Sequence, residues 1–163
     1  MNNAAVDQHL KKCRAELDHV QAAINAIGVT SPVTPYLTNY AVIRACGAVE
    51  VSFKSLIADF CTKRSKKQVK RFIHMKIKRG SANPSQKNIM YILHQFDVDW
   101  KKSFEINLKS DPNKQSLLDS LQSLVDARNE FAHGGSPTMT IADVLKHFDH
   151  ARRVVEHVDS IIV

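Results

Sequence analysis

Along four long stretches of this chain, apolar residues recur at the three-to-four spacing of one buried helix face, and the helix-breaking residues fall between those stretches. The clearest stretch closes the sequence, where Ile141, Val144, Leu145, Phe148, Ala151, Val155, Val158 and Ile162 stay in register. Another opens it, placing Val6, Leu10, Cys13, Leu17, Val20 and Ile24 on one face of a helix predicted from about Asn3 to Ile27. Period-two alternation of valine, isoleucine and threonine is nearly absent, so a sheet has little to be built from. The five glycines and five prolines mostly cluster, leaving long helices free to run. The fold class is all-α.

Gly28 stops the first helix, and the TSPVTP stretch after it is a linker. Thr34 is expected to cap the second helix with Pro35 at its first position. That helix should reach about Thr62 on a stripe of Tyr36, Tyr40, Ile43, Cys46, Phe53, Ile57 and Phe60, with its aromatics in the core. Glu50 falls on the same stripe where carbon is expected, and Gly47 would admit a close helix approach. Lys63 to Lys78 should form a short helix turning Val69, Phe72, Ile73 and Ile77 inward, broken by the loop Gly80 to Ser85. A helix over Gln86 to Phe96 follows, and then a short one capped by Asp99. Asp111-Pro112 opens a central helix with Leu117, Leu121, Leu124 and Val125 inward, stopped by Gly134-Gly135. Thr140 and Asp143 have the spacing of a capping box for the last helix. The expected organisation is a single domain over 1–163, a bundle of four main helices with a basic helical insertion at about 63–110.

The formal charge of +7 is concentrated in one place. Lys63, Arg64, Lys66, Lys67, Lys70, Arg71, Lys76, Lys78 and Arg79 are nine cations uninterrupted by an acid, so the rest of the chain sums to about −2 (7 − 9). Such a run is either a solvated face or a patch for the RNA backbone, which it would position without reading sequence. Cys13, Cys46 and Cys61 are odd in number and form no C-x-x-C pair. With no signal peptide and no apolar run of roughly 18 residues, they read as reduced thiols of a cytoplasmic, soluble protein.

On the central helix the position after Val125 on the apolar stripe is Arg128. A charge aimed at a core or an interface is costly unless it is paired, hydrogen-bonded or used. Asn129 follows it, and His133 stands at the helix end against the double glycine. The spacing itself is cheap, because Arg14 with His19 and Arg152 with His157 share it. Context separates the three: only Arg128 lies on an apolar stripe and only it is followed by Asn. Arg128 is then a functional group or a structural arginine in a salt bridge. Glu50 is an acid pairing a buried arginine such as Arg128 or Arg44, or a group orienting the site. His147, His150 and His157 are spaced on one helix as metal ligands can be, but read as surface histidines. With no Gly-rich phosphate loop, nucleophile elbow or spaced carboxylate pair, kinase, hydrolase and metalloenzyme chemistry finds no footing. No cofactor and no metal is called for.

Arg128-Asn129-Glu130-Phe131-Ala132-His133 resembles the R-[polar]-x-x-x-H signature of HEPN domains, specifically the RiboL-PSP-HEPN-like type. The layout is similar too: two long helices, a variable insertion, the motif at the end of a third helix and a closing helix. Many members of that superfamily are metal-independent ribonucleases of toxin–antitoxin, abortive-infection and antiviral-defence systems, and others are silent scaffolds. The resemblance implies a homodimer in which two motifs meet at the interface. It implies attack of the RNA 2′-hydroxyl on the adjacent phosphorus to leave a 2′,3′-cyclic phosphate. It assigns catalysis to Arg128, Asn129 and His133 with Glu50 in support, and it implies an antitoxin or regulatory partner. Some relatives carry a tyrosine two residues after the histidine, where an antitoxin modifies it. Here that position is Gly135. A catalytically silent dimer binding RNA or a partner protein is the alternative, and a DNA-contacting module is a third.

Overall fold

The computed structural model describes residues 1–80 and 82–162, and among them every regular element is helical. The order is α1 (Ala4–Ile27), α2 (Thr34–Thr62), α3 (Lys67–Ile73), a π-helical turn (His74–Lys78), α4 (Gln86–Phe96), α5 (Val98–Ser110), α6 (Lys114–Ala132) and α7 (Ile141–Ile161). The all-α bundle expected from the apolar spacing is the observed one. Ser81, within the expected loop from Gly80 to Ser85, and Val163 lie outside the described residues.

The core lies between α1, α2, α6 and α7, with α5 laid against α7 and α4 paired with α5. All six inward positions read for α1 are buried. On α7 the same holds from Ile141 to Val158, and Thr140 and Asp143 form the full capping box. Asn3 caps α1 through Val6 N–H, and its own N–H donates to buried Asp159 at 3.1 Å, tying the first helix to the last.

Several local expectations fail, each for an identifiable reason. α2 buries Cys46, Phe53 and Ile57 of its expected stripe, but the rest of its buried face is Ala41, Val42, Ala45, Ala48, Val49 and Leu56. Small side chains let α1 and α7 approach closely, while Tyr36, Tyr40, Ile43 and Phe60 stay exposed. Phe60 meets Trp100 edge-on at 5.2 Å instead of entering the core. A Cβ on Gly47 would meet open space, so no helix of this chain uses it for close approach. Thr34 is helical and does not cap; its hydroxyl donates to the Gly28 carbonyl at 2.9 Å. Asp97, not Asp99, caps α5, accepting Asp99 N–H at 2.7 Å. In the basic segment only Ile73 is buried, and Val69 and Phe72 face outward.

Candidate active site at the end of α6

α6 stops through two glycines with different duties. Gly134 takes φ +84°, the left-handed conformation that favours glycine. Its N–H donates to Phe131 O at 3.0 Å, and Gly135 N–H donates to Glu130 O at 2.9 Å. A Cβ on Gly135 would come within 2.6 Å of Glu130 Cγ and 3.0 Å of Glu130 O. The position that some relatives give to tyrosine is thus closed to any side chain unless the helix end shifts.

This stop leaves His133 exposed at the C-cap, with no side-chain hydrogen bond among the described residues. Helical side chains lean toward the N-terminus, so His133 lies over the turn that carries Asn129. Arg128 starts roughly 7.5 Å further down the axis and on another side of the helix. Its Nη1 nevertheless donates to Asn129 Oδ1 at 3.1 Å, drawing the guanidinium toward the histidine's side. Asn129 keeps its amide N–H groups for another acceptor.

Electrostatics separates the three arginine–histidine matches. Arg14 binds Asp18 and Asp149, and Arg152 binds Asp7 and Glu156. Arg128 has no carboxylate partner among the described residues, although it is half-buried. The structural salt bridge that was its alternative is absent there. Its charge acts on Cys46 of α2: burial pushes that thiol up to about 12, with Arg128 opposing the shift and Glu50 adding to it.

Glu50 and Arg128 both act on Cys46, but they form no ion pair with each other among the described residues. The expected arginine partner is replaced by Lys54, one turn on, whose ammonium binds the Glu50 carboxylate. Arg44 goes to Glu16 at 2.6 Å instead. Lys54 is only 3% exposed and also donates to Gly80 O at 2.5 Å. A buried ammonium needs such partners. It joins Glu50 to the end of the basic segment.

The nine cations are all exposed: Lys63, Arg64 and Lys66 ahead of α3, Lys67, Lys70 and Arg71 on it, Lys76 and Lys78 on the π-helical turn, and Arg79 after it. Among the described residues only Lys78 of the nine is in an ion pair, with Asp59 at 2.8 Å. The histidines of α7 do not converge. His150 meets the Ser120 hydroxyl at 2.7 Å, His157 meets Asp111 at 2.9 Å, and His147 is half-buried with Nδ1 unpartnered. Two of the three are thus structural rather than free surface groups. No helix among the described residues is long and apolar enough to cross a membrane.

No curated protein and no solved structure matches this chain. The RiboL-PSP-HEPN family does, over residues 8–163. That match takes in α1 from residue 8 onward, the whole of α2, α6 and α7, and the Arg128–His133 motif, so the chain belongs to the RiboL-PSP-HEPN family, one of the HEPN families, whose domains are often ribonucleases.

Proposed function

We propose that this protein is an endoribonuclease that cuts RNA by internal transfer at phosphorus, with no metal required. The observation that carries this is Arg128: half-buried, without a carboxylate, and tied to Asn129 one turn below an exposed, unbonded His133. A guanidinium kept free of carboxylates is available to a phosphate, and its charge stabilises the negative charge that develops in the transition state. Imidazole is the side chain that exchanges protons readily near neutral pH. In the step proposed, a base takes the 2′-hydroxyl proton and the 2′-oxygen bonds to phosphorus. The bond from phosphorus to the 5′-oxygen then breaks as an acid protonates that oxygen, leaving a 2′,3′-cyclic phosphate and a free 5′-hydroxyl.

Two proton transfers are needed, and each chain offers one motif histidine. A homodimer with the motifs facing each other supplies the second. Support comes from α2, where Tyr36, Tyr40, Ile43, Gly47 and Val51 fall within a stripe roughly 80° wide. The four side chains are exposed, the glycine fronts open space, and Glu50 lies at the stripe's edge. An uncovered apolar stripe of this kind suits self-association. The basic segment would hold the strand, and a nuclease of this type would act as a toxin or antiviral effector under an inhibitory partner.

The test is cleavage of varied RNAs in excess EDTA by wild-type protein, Arg128→Ala and His133→Ala, with analysis of the ends. Cutting with cyclic-phosphate ends, lost in both variants, is the expected result. If none of the three cuts any RNA, the enzyme proposal is overturned and a silent RNA- or protein-binding dimer takes its place.

A further inference from the structure

Between the basic segment and α4 lies a cleft of about 510 Å³ whose character differs from the polar surface around it. Phe72 and Tyr91 line it with most of their surface open to solvent, at 60% and 61% exposed. An aromatic that shows so much of its surface contributes little to folding, and two lining one cleft call for an occupant. The volume is in the range of small-ligand sites. Lys76 stands at the wall, and buried Lys54 forms part of the lining, with Glu50 as its ion-pair partner.

The polar groups of the cleft narrow what that occupant is. Asn88 spends its amide N–H groups on Asn83, at 2.7 and 3.1 Å, which leaves its Oδ1 as a hydrogen-bond acceptor. Gln95 adds an exposed amide with both donor and acceptor. Flat apolar faces, a few hydrogen-bonding edges and the exposed ammonium of Lys76 at the wall match one chemistry: an unpaired base on an anionic strand. A phosphate alone would need no aromatics, and an apolar protein segment would gain nothing from the Lys76 charge at its rim.

We infer that this cleft takes a single unpaired base of the RNA strand, stacked on Phe72 and Tyr91, and so confines the enzyme to single-stranded RNA. The inference rests on the proposal that the chain acts on RNA, but not on cleavage. A base held within a duplex is stacked and paired already, so a duplex offers the basic segment phosphates and leaves the cleft empty. Lys54 then connects the cleft to α2: it lines the cleft, binds Gly80 O and holds the carboxylate of Glu50.

The experiment is equilibrium binding of 2′-O-methyl oligonucleotides, which have no free 2′-hydroxyl and are not cut, beside cleavage of ordinary RNA in EDTA. Two single strands are compared, one with bases and one with abasic sugars. Phe72→Ala and Tyr91→Ala are each expected to weaken binding of the base-bearing strand about tenfold, the scale of base–aromatic stacking. They should leave the abasic strand unchanged. Phe72→Trp and Tyr91→Phe should restore tight binding, and Lys70→Ala with Arg71→Ala should weaken both strands alike. Equal losses on both strands, or no loss on either, overturns the base site. Absence of cleavage alongside base-dependent binding refutes the nuclease and leaves the cleft standing. Cleavage that ignores both aromatics refutes the cleft and leaves the nuclease.

Discussion

Arg152 and His157 on α7 have the same spacing as Arg128 and His133 on α6, but the first pair keeps nothing in reserve. Arg152 divides its guanidinium between Asp7 of α1 and Glu156. His157 and Arg153 close on Asp111, a carboxylate 1% exposed at the entry to α6. On α6, among the described residues, the guanidinium reaches only a neutral amide and the imidazole makes no side-chain hydrogen bond. Charge that serves the fold is neutralised by charge, because a desolvated ion without a partner is expensive. Charge that serves a ligand is left where the ligand will be. The comparison locates the candidate site more firmly than the shared motif does.

The largest effects should divide along this line. His133→Ala is expected to lower RNA cleavage by about 10²–10⁴-fold, the usual contribution of a proton-transfer group. Its side chain is exposed and unbonded, so unfolding free energy should move by no more than about 0.5 kcal/mol. Arg152→Ala should do the reverse, reducing stability by about 1 kcal/mol, since its pairs are partly solvated, with cleavage per folded molecule intact. Denaturant titration and initial rates on the same preparations check both. If Arg152→Ala abolishes cleavage while its fold survives, the two pairs do not differ in use.

Asp111→Ala comes next. The carboxylate receives Asn113 N–H at 2.9 Å, Arg153 Nε at 2.8 Å and His157 Nε2 at 2.9 Å. Its removal strands donors at the start of the helix that ends in the motif. A loss of about 2 kcal/mol is expected, with cleavage per folded molecule unchanged. A fall in cleavage beyond the fall in folded fraction would mean that the far end of α6 positions His133.

The outer helices were legible because they obey one rule each: α1 and α7 bury one face and solvate the other, and capping chemistry marks where α7 starts. α2 was legible in extent but not in orientation. Its residues are apolar on opposite sides, and Tyr36, Tyr40, Ile43 and Phe60 lie on the exposed side while alanines fill tight contacts beside Phe53 and Ile57. Size is a poor guide where helices pack closely. Arg128 stood out as a charge on an apolar stripe, and that oddity survives in the structure. Glu50 was found, but its partner was not, because Lys54 sits among apolar neighbours whose spacing gives no sign of a buried ammonium. The cleft under Phe72 was not legible at all. It forms where the basic segment folds against α4 over buried Lys54, and the helical spacing of Val69, Phe72, Ile73 and Ile77 points Phe72 inward.

Smaller effects should come from the glycines that end α6. Gly134→Ala forces a side chain into φ +84° at a cost of about 1 kcal/mol. Gly135→Ala brings a Cβ against Glu130, where the flexible Cγ can move but the carbonyl at 3.0 Å can do so only with the helix end. Stability should therefore fall modestly in both. Cleavage should fall more in Gly135→Ala, since the shift displaces His133 directly. Rates that simply follow the folded fraction would show that the turn matters to folding alone.

The smallest effect is the dependence of stability on pH, and it belongs wholly to groups that the fold uses. Burial holds His147 below its ordinary value of 6.5, with nearby Asp143 only partly opposing. Burial does the same to His9, reinforced by Arg44 and Lys12. A lowered histidine binds its proton more readily in the unfolded chain. Its contribution is therefore complete above 6.5 and declines as pH falls from there toward the folded value. Asp111 acts lower down: burial would raise it, but Asn113 N–H, His157 and Arg153 together bring it below 3.8. Its share of stability is present above that value and is lost as pH falls through the folded one. Denaturant midpoints should decline gently from pH 7 to pH 5.5 and more steeply below pH 4. Replacing both His9 and His147 by Gln should flatten the upper limb and leave the lower one. Replacing His133, exposed and without a side-chain partner among the described residues, should leave the midpoint at pH 7 unchanged. A His133 variant that lowered that midpoint would make its imidazole as structural as His157, and the contrast between the two arginine–histidine pairs would be gone.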